Sequence, residues 1–168
     1  LLRVLGSSAG GGFPQWNCNC PNCAGLRAGS LRARARTQPS VAVTADGQDW
    51  LLVNASPDLL TQIQQTPTLQ PARSLRDSGI AAVLLMDAPI DHVTGLLMLR
   101  ERKTPLPLLA TPEVLSDIGA GFPITRILSH YCGVAAQAIV CDGRGFGAPG
   151  LPGVELQAVT LASKPPPY

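Results

Sequence analysis

The sequence predicts a layered α/β fold, and three observations carry that expectation. Two apolar runs, SVAVTA at 40–45 and WLLVNA at 50–55, flank Asp46-Gly47, a pair favoured in hairpin turns. IAAVLLM at 80–86 is a continuous β-type run, the pattern of a strand covered on both faces. Ser56-Pro57 and Thr111-Pro112 each place a capping hydroxyl before a proline, so two helices are expected to start there. Strands joined first in a hairpin and then alternating with helices stack as sheet and helix layers.

The remaining elements follow in order. LRVL at 2–5 reads as a buried strand leading into the glycine stretch GSSAGGG at 6–12. SPDLLTQIQQ continues the helix that Ser56 caps. VTGLLMLRER at 93–102 is helical by its Leu and Arg content. The prolines of PLPLLA at 105–110 predict an edge strand. QAIVCD at 137–142 and VELQAVTLA at 154–162 are the last expected strands, with the loop GRGFGAPGLPG between them.

At 168 residues the chain fits one domain, 1–168, long enough to bury a substantial core. Apolar residues make up 45% and charged residues 14%, against about a quarter charged in most soluble domains. Such a chain needs extensive burial, against further sequence or a partner. A net charge of +2 gives no footprint for nucleic acid. No apolar run approaches the roughly 20 residues of a membrane-spanning helix. LLRVLG is too short for a signal peptide, which points to the cytoplasm, where thiols stay reduced. The start at Leu1 and the open tail SKPPPY point to a domain incomplete at its C-terminus.

NCNCPNC at 17–23 sets Cys18, Cys20 and Cys23 in one turn. A disulfide uses two sulfurs, whereas one metal ion can take all three. Zinc prefers four tetrahedral ligands in structural sites. His130 and Cys132 are the in-chain candidates for the fourth, unless it lies past residue 168. A redox pair of Cys20 and Cys23 would leave Cys18 idle. Cys132 and Cys141 otherwise read as small core residues, and His130 as a loop or core histidine. DAPIDH at 87–92 follows the strand IAAVLLM directly, so Asp87, Asp91 and His92 stand where α/β sheets gather their ligands. Two carboxylates and an imidazole suit a divalent metal or acid–base work; the plainer reading makes Asp91 a helix cap and His92 a surface residue. The glycine stretch allows a sharp turn beside the cysteines, or an anion cradle of backbone N–H groups. Arg32, Arg34 and Arg36 fall on one side of an extended segment, as a solvated face or as a clamp for a substrate carboxylate.

GSSAGGGFPQWNCNCPNC, RARTQPSVAV, NASPDLL, LRDSGIAAVLLMDAPIDHVTGLLMLRE and GFPITRILSHY together resemble the coenzyme PQQ synthesis protein B family of the metallo-β-lactamase superfamily. The resemblance implies an αββα sandwich, of which this chain is the N-terminal part. It implies structural Zn2+ on Cys18, Cys20 and Cys23, with a late histidine past Tyr168 as fourth ligand. The superfamily motif HxHxDH is present here only as Asp87 in the first position and Asp91-His92 in the last two; Pro89 offers no ligand atom. That departure weighs against a di-zinc hydrolase and for one metal on Asp91 and His92, with Asp87 beside it. A histidine–carboxylate set with open positions suits Fe2+.

In this family the pathway makes pyrroloquinoline quinone (PQQ) from a cross-linked Glu and Tyr of a small peptide. The resemblance therefore implies oxygen-dependent hydroxylation of the tyrosine-derived ring, with Arg34 and Arg36 holding substrate carboxylates. The alternative is carriage of PQQ or its precursor toward the periplasm, and a metal-dependent hydrolase ranks third. The implied partner is the small amino-acid-derived precursor, with other PQQ biosynthesis proteins and a second copy of the chain left open.

Overall fold

The computed structural model describes residues 1–162 and 166–168; part of the SKPPPY tail, 163–165, lies outside the described residues. Strands β1 (Leu2–Gly6), β2 (Ser40–Val43), β3 (Trp50–Val53), β4 (Ile80–Leu84), β5 (Leu106–Ala110) and β6 (Val134–Ala138) form one sheet in sequence order. The first three pair antiparallel, and β3 through β6 run parallel. A parallel strand needs a crossover, and each crossover here carries short helices. Between β3 and β4 lies α2 (Leu59–Gln64), after α1 (Pro21–Arg27) in the β1–β2 connection. Between β4 and β5 lies α3 (Ile90–Val93), and α4 (Pro112–Ser116) and α5 (Ile124–Leu128) precede β6.

Side-chain alternation divides the sheet into two cores. Trp50, Leu52, Val83, Leu106 and Leu108 face one way and pack with Leu59, Val93, Leu96, Ile118 and Leu128 from the helical crossovers. Leu51, Ala82, Leu84 and Leu109 face the other way and are covered by Leu151, Phe146 and Leu156. Phe146 and Leu156 belong to a small antiparallel hairpin of β7 (Gly145–Phe146) and β8 (Leu156–Gln157). Helix, six-stranded sheet and second sheet succeed one another as in the sandwich that the resemblance implies. Among the described residues no helix is long and apolar enough to cross a membrane.

Several expectations needed correction. LRVL is a strand, but an exposed one: β1 pairs only with β2, leaving Leu2 61% and Val4 59% exposed. The second helix begins at Leu59 with Asp58 at its N-cap, not at Ser56; the Ser56 hydroxyl is buried and caps nothing among the described residues. Residues 94–99 wind as 3-10 turns rather than α-helix, after the single α turn of α3. PLPLLA is central, between β4 and β6. Leu106 N–H donates to Gly133 O on the β6 side, so by alternation Pro107 turns its missing N–H toward β4. The β4 pairing starts only at Leu108, which leaves the proline no bond to break. The sixth strand runs 134–138 rather than 137–142, drawn forward by its ladder with 106–110. Of VELQAVTLA only Leu156–Gln157 pairs, and Val159 and Leu161 lie exposed. Cys141 is exposed rather than a core residue. Thr111 is the N-cap expected, its side chain accepting from Val114 N–H.

Leu108 is fully buried between β4 and β6. Leu108→Ala is expected to cost about 2–5 kcal/mol in denaturant unfolding, whereas Leu2→Ala on the open edge should stay within about 0.5 kcal/mol. Equal effects would place the core elsewhere.

Candidate metal centre

The turn after β3 and the turn after β4 are built against each other. Asn54 adopts a left-handed conformation at φ 58°, the only non-glycine residue to do so among those described. Its N–H donates to Leu84 O, and its side-chain oxygen accepts from Met86 N–H at 3.0 Å. Ala55 N–H donates to His92 O at 2.7 Å, and Gly95 N–H donates to Ala55 O at 2.9 Å. A Cβ on Gly95 would stand 2.2 Å from Ser56 O and 2.7 Å from Ala55 O, so only glycine lets the two turns approach this closely. The clamp holds the backbone on both sides of residues 87–92.

Within that frame His92 lies between two carboxylates. Its Nδ1 hydrogen-bonds Asp87, and its Nε2 lies 3.8 Å from the Asp91 carboxylate. With Asp87 accepting from Nδ1–H, the neutral ring presents its Nε2 lone pair toward Asp91. One cation between that lone pair and the Asp91 oxygen can bond both at metal–ligand distances of about 2.0–2.2 Å. Asp87 then orients the ring instead of binding metal, as carboxylate partners of ligating histidines do.

The three cysteines converge as their spacing predicts. Cys18, Cys20 and Cys23 place their sulfurs within 4.8 Å of one another, the one such group of potential metal ligands among the described residues. Tetrahedral zinc with bonds of about 2.3 Å sets sulfurs near about 3.8 Å apart, so the donors fit after a small contraction. Pro21 opens α1 immediately after Cys20, which brings Cys23 round onto the same side. The Arg27 guanidinium locks the turn by donating to Cys18 O at 2.6 Å and to Gln15 O. The Cys23 backbone N–H, then the Cys18 and Cys23 side chains, hold the Cys20 thiol down at about 7. On Cys23 the Gln15 backbone pulls downward, but burial and the Cys18 and Cys20 sulfurs outweigh it and push that thiol up. His130 is exposed after α5, and Cys132 packs on the helical core with its sulfur 3.8 Å from Leu99 O. Neither joins the cluster.

The glycine stretch is a lock rather than an anion cradle. Ser7 and Ser8 N–H both donate to Thr37 O, and Gly11 N–H donates to the Gln38 side chain. Those donors are already engaged. Gly10 passes the site itself, where an added Cβ would meet the Asp91 oxygen at 3.2 Å. Arg34 and Arg36 are both exposed, and the Arg36 guanidinium stacks 5.0 Å above the Phe13 ring. Tyr168, 80 positions away in sequence, donates its hydroxyl to Ala88 O and rests on Phe122, ring centroids 5.6 Å apart. Burial, then Asp117, Asp91 and Asp87, push its phenol pKa up. Asn54, Gly95 and Tyr168 were not expected from sequence; only the glycine inside a helical pattern is a readable signal of close approach.

Two measurements check this geometry. In metal-free protein, iodoacetamide should alkylate Cys20 at a rate that climbs through about pH 7 as its thiolate forms, with Cys23 lagging to higher pH; equal profiles would contradict the assigned environments. Gly95→Ala should cost about 1–3 kcal/mol in denaturant unfolding, and 15N–1H spectra should show Asp91 and His92 amides shifted; an unshifted pair would refute the clamp.

Comparisons with known proteins meet this geometry. The β-lactamase superfamily domain model matches residues 49–167. Coenzyme PQQ synthesis protein B of Cupriavidus necator is 65% identical over 167 residues, 99% of this chain and 55% of that protein. The Methylococcus capsulatus protein of the same name is 51% identical over 168 residues, all of this chain and 55% of that protein. The crystal structure of Zn(2+)-bound PqqB from Methylobacterium extorquens superposes with a TM-score of 0.85 at 41% identity, covering 99% of this chain and 54% of that one. A diphosphatase of the PhnP family shares the fold alone, at TM-score 0.64 and 20% identity, over 88% of this chain and 53% of that one. The chain spans about half the length of the curated relatives it matches. It belongs to the β-lactamase superfamily, and the relatives it resembles there are the coenzyme PQQ synthesis B proteins.

Proposed function

We propose that this chain supplies the metal-binding turn of a protein that works in PQQ biosynthesis, by oxygen-dependent hydroxylation of the tyrosine-derived ring of the precursor. The observation that carries the reading is His92 held by Asp87 on one nitrogen and facing Asp91 with the other. The names of the relatives supply the pathway. Asp91 and His92 are the ligands this chain gives to Fe2+, which when bound supplies the redox chemistry that dioxygen requires. Cys18, Cys20 and Cys23 take structural Zn2+, in keeping with the Zn(2+)-bound state of the Methylobacterium extorquens relative.

The chain's own residues do the positioning. Asp87 holds the His92 ring at one rotation and selects the tautomer of the neutral ring that carries its lone pair on Nε2. The turn after β3 fixes the backbone on either side, so neither ligand has to be ordered when metal arrives. Gly10 leaves the Asp91 oxygen room on the side of the glycine stretch. Arg34 and Arg36, exposed on the neighbouring segment, offer guanidinium forks to precursor carboxylates. The setting is the reducing cytoplasm, where three thiolates persist as metal ligands.

The test uses the full-length protein purified with its metals, assayed for metal content by mass spectrometry and for oxygen uptake with the precursor. Asp91→Ala and His92→Ala should each lose iron and turnover while keeping zinc and melting temperature. Asp87→Asn should fall about 10–100-fold in iron affinity or turnover. Cys20→Ser should lose zinc and melt lower, because a structural metal's binding energy is folding energy. Normal turnover in Asp91→Ala or His92→Ala would overturn the site. Tight PQQ binding without turnover, unchanged in both, would replace hydroxylation with carriage.

A further inference from the structure

The opposite edge of the sheet, where β3 and β4 begin, holds a cavity of about 590 Å³. It stands a strand's length, roughly 17 Å, from the turn at Asp87. Its floor is apolar, with Leu69, Ile80 and Leu99 buried beneath it and Leu75 standing 98% exposed at the rim. The charges on its wall do not cancel. Arg73 donates to Asp49 at 2.6 Å and to Asp77 at 2.9 Å, so both carboxylates are engaged. Glu101 lies 3.5 Å from Arg100. Among the described residues no carboxylate comes within 4.0 Å of Arg76, Arg102 or Lys103, all of which line the cavity.

Arg102 is the telling member. It is half-buried, donates one terminal nitrogen to Ile80 O at 2.7 Å, and has its Nε buried without a partner. Its other terminal nitrogen makes no hydrogen bond among the described residues, which leaves a donor for a ligand. Burial pushes the guanidinium below its ordinary pKa, with only the Cys132 and Asp77 charges acting the other way. A partly desolvated cation without a counter-ion is costly to keep in a fold. An anion entering the cavity offsets that cost, while the apolar floor accepts the rest of the molecule.

We infer that this cavity binds a small organic carboxylate with an apolar body, its head on Arg102 and its mouth guarded by Arg76 and Lys103. The site is separate from the Asp91–His92 turn and does not depend on the function proposed for it. Bare phosphate lacks the apolar body that the floor selects, and a neutral alcohol lacks the charge that Arg102 selects.

Calorimetric titration of the full-length, metal-loaded protein tests this with octanoate, octanol and inorganic phosphate. Octanoate should bind at least about 10-fold tighter than octanol, since one charge-assisted hydrogen bond exceeds the 1.4 kcal/mol of a tenfold change. It should also bind at least about 10-fold tighter than phosphate, which has no alkyl chain to bury on the apolar floor. Arg102→Met, which keeps the stem's bulk, should remove that advantage and leave the weak octanol binding unchanged. Arg76→Glu, at an exposed position, should weaken octanoate severalfold with no change in melting, and decides the matter if Arg102→Met does not fold. Octanoate affinity unchanged in the folded variants would overturn the site. Phosphate or octanol binding as tightly as octanoate would overturn the ligand class.

Discussion

The contact on which the site depends is made by a residue without a side chain. Gly95 brings the chain after α3 so near the β3 turn that the carbonyl oxygens of Ala55 and Ser56 fill the space a Cβ would need. Two backbone hydrogen bonds follow, His92 O accepting from Ala55 N–H and Gly95 N–H reaching Ala55 O. Asn54 completes the arrangement from the other side by accepting from Met86 N–H, and takes a backbone conformation that most residues avoid. Parallel pairing of β3 with β4 brings the two turns to the same edge, and close approach makes them one rigid unit. Held at both ends in this way, Asp91 and His92 would need little ordering to take the cation proposed for them.

A second hub sits where Thr37 and Gln38 pass between the glycine stretch and α2. Gln38 accepts from Gly11 N–H through its side-chain oxygen, while its backbone N–H and side-chain nitrogen both donate to Asp58. Gln62 donates to Thr37 Oγ1 and to Gln38 O. Gly6 is tight for the same reason as Gly95, since a Cβ there would fall 2.0 Å from Gln38 O. Backbone crowding accounts for Gly6 and a positive φ for Gly11 and Gly12, and the polar residues of 37–38 satisfy N–H groups that an anion would otherwise have claimed.

The elements most legible in the sequence were those whose signal is local. The hairpin at Asp46-Gly47, the doubly buried run IAAVLLM and the Thr111-Pro112 helix start all depend on residues a few positions apart. So does the cysteine cluster, whose spacing inside one turn brings the sulfurs together. Expectations failed where a distant strand decided the outcome. Pro107 marked PLPLLA as an edge, but strand register turned its missing N–H to a stretch without a ladder. Ser56 carried a good capping signature, yet the approach of Gly95 to its carbonyl fixed it as a buried joint and moved the helix start to Leu59. Asp91 and His92 were readable from their place after a strand. That Asp87 would hold the histidine ring, and Asn54 the backbone before it, depended on contacts that no spacing encodes.

The cysteine turn and the aspartate–histidine turn are joined by a short length of chain. From Asp91 the path passes to Gly10, whose missing side chain leaves room for the carboxylate, and then to Gly11, where a Cβ would meet the Gln15 side chain at 2.9 Å. Gln15 O is gripped by Arg27, which also holds Cys18 O, so residue 15 is anchored to the start of the cysteine loop. Phe13 ties the middle of this path to Arg36 through two backbone hydrogen bonds, at 2.9 and 2.8 Å. A seven-residue stretch with four glycines is otherwise the most freely moving kind of backbone, because glycine loses the most conformational entropy on ordering. Fixing it at the Arg36–Gln38 segment and again at the Cys18 turn confines Gly10 against Asp91. A metal held on the three sulfurs, as proposed, would act on the Asp91–His92 turn without touching it, by holding the far end of the segment that packs beside the Asp91 carboxylate.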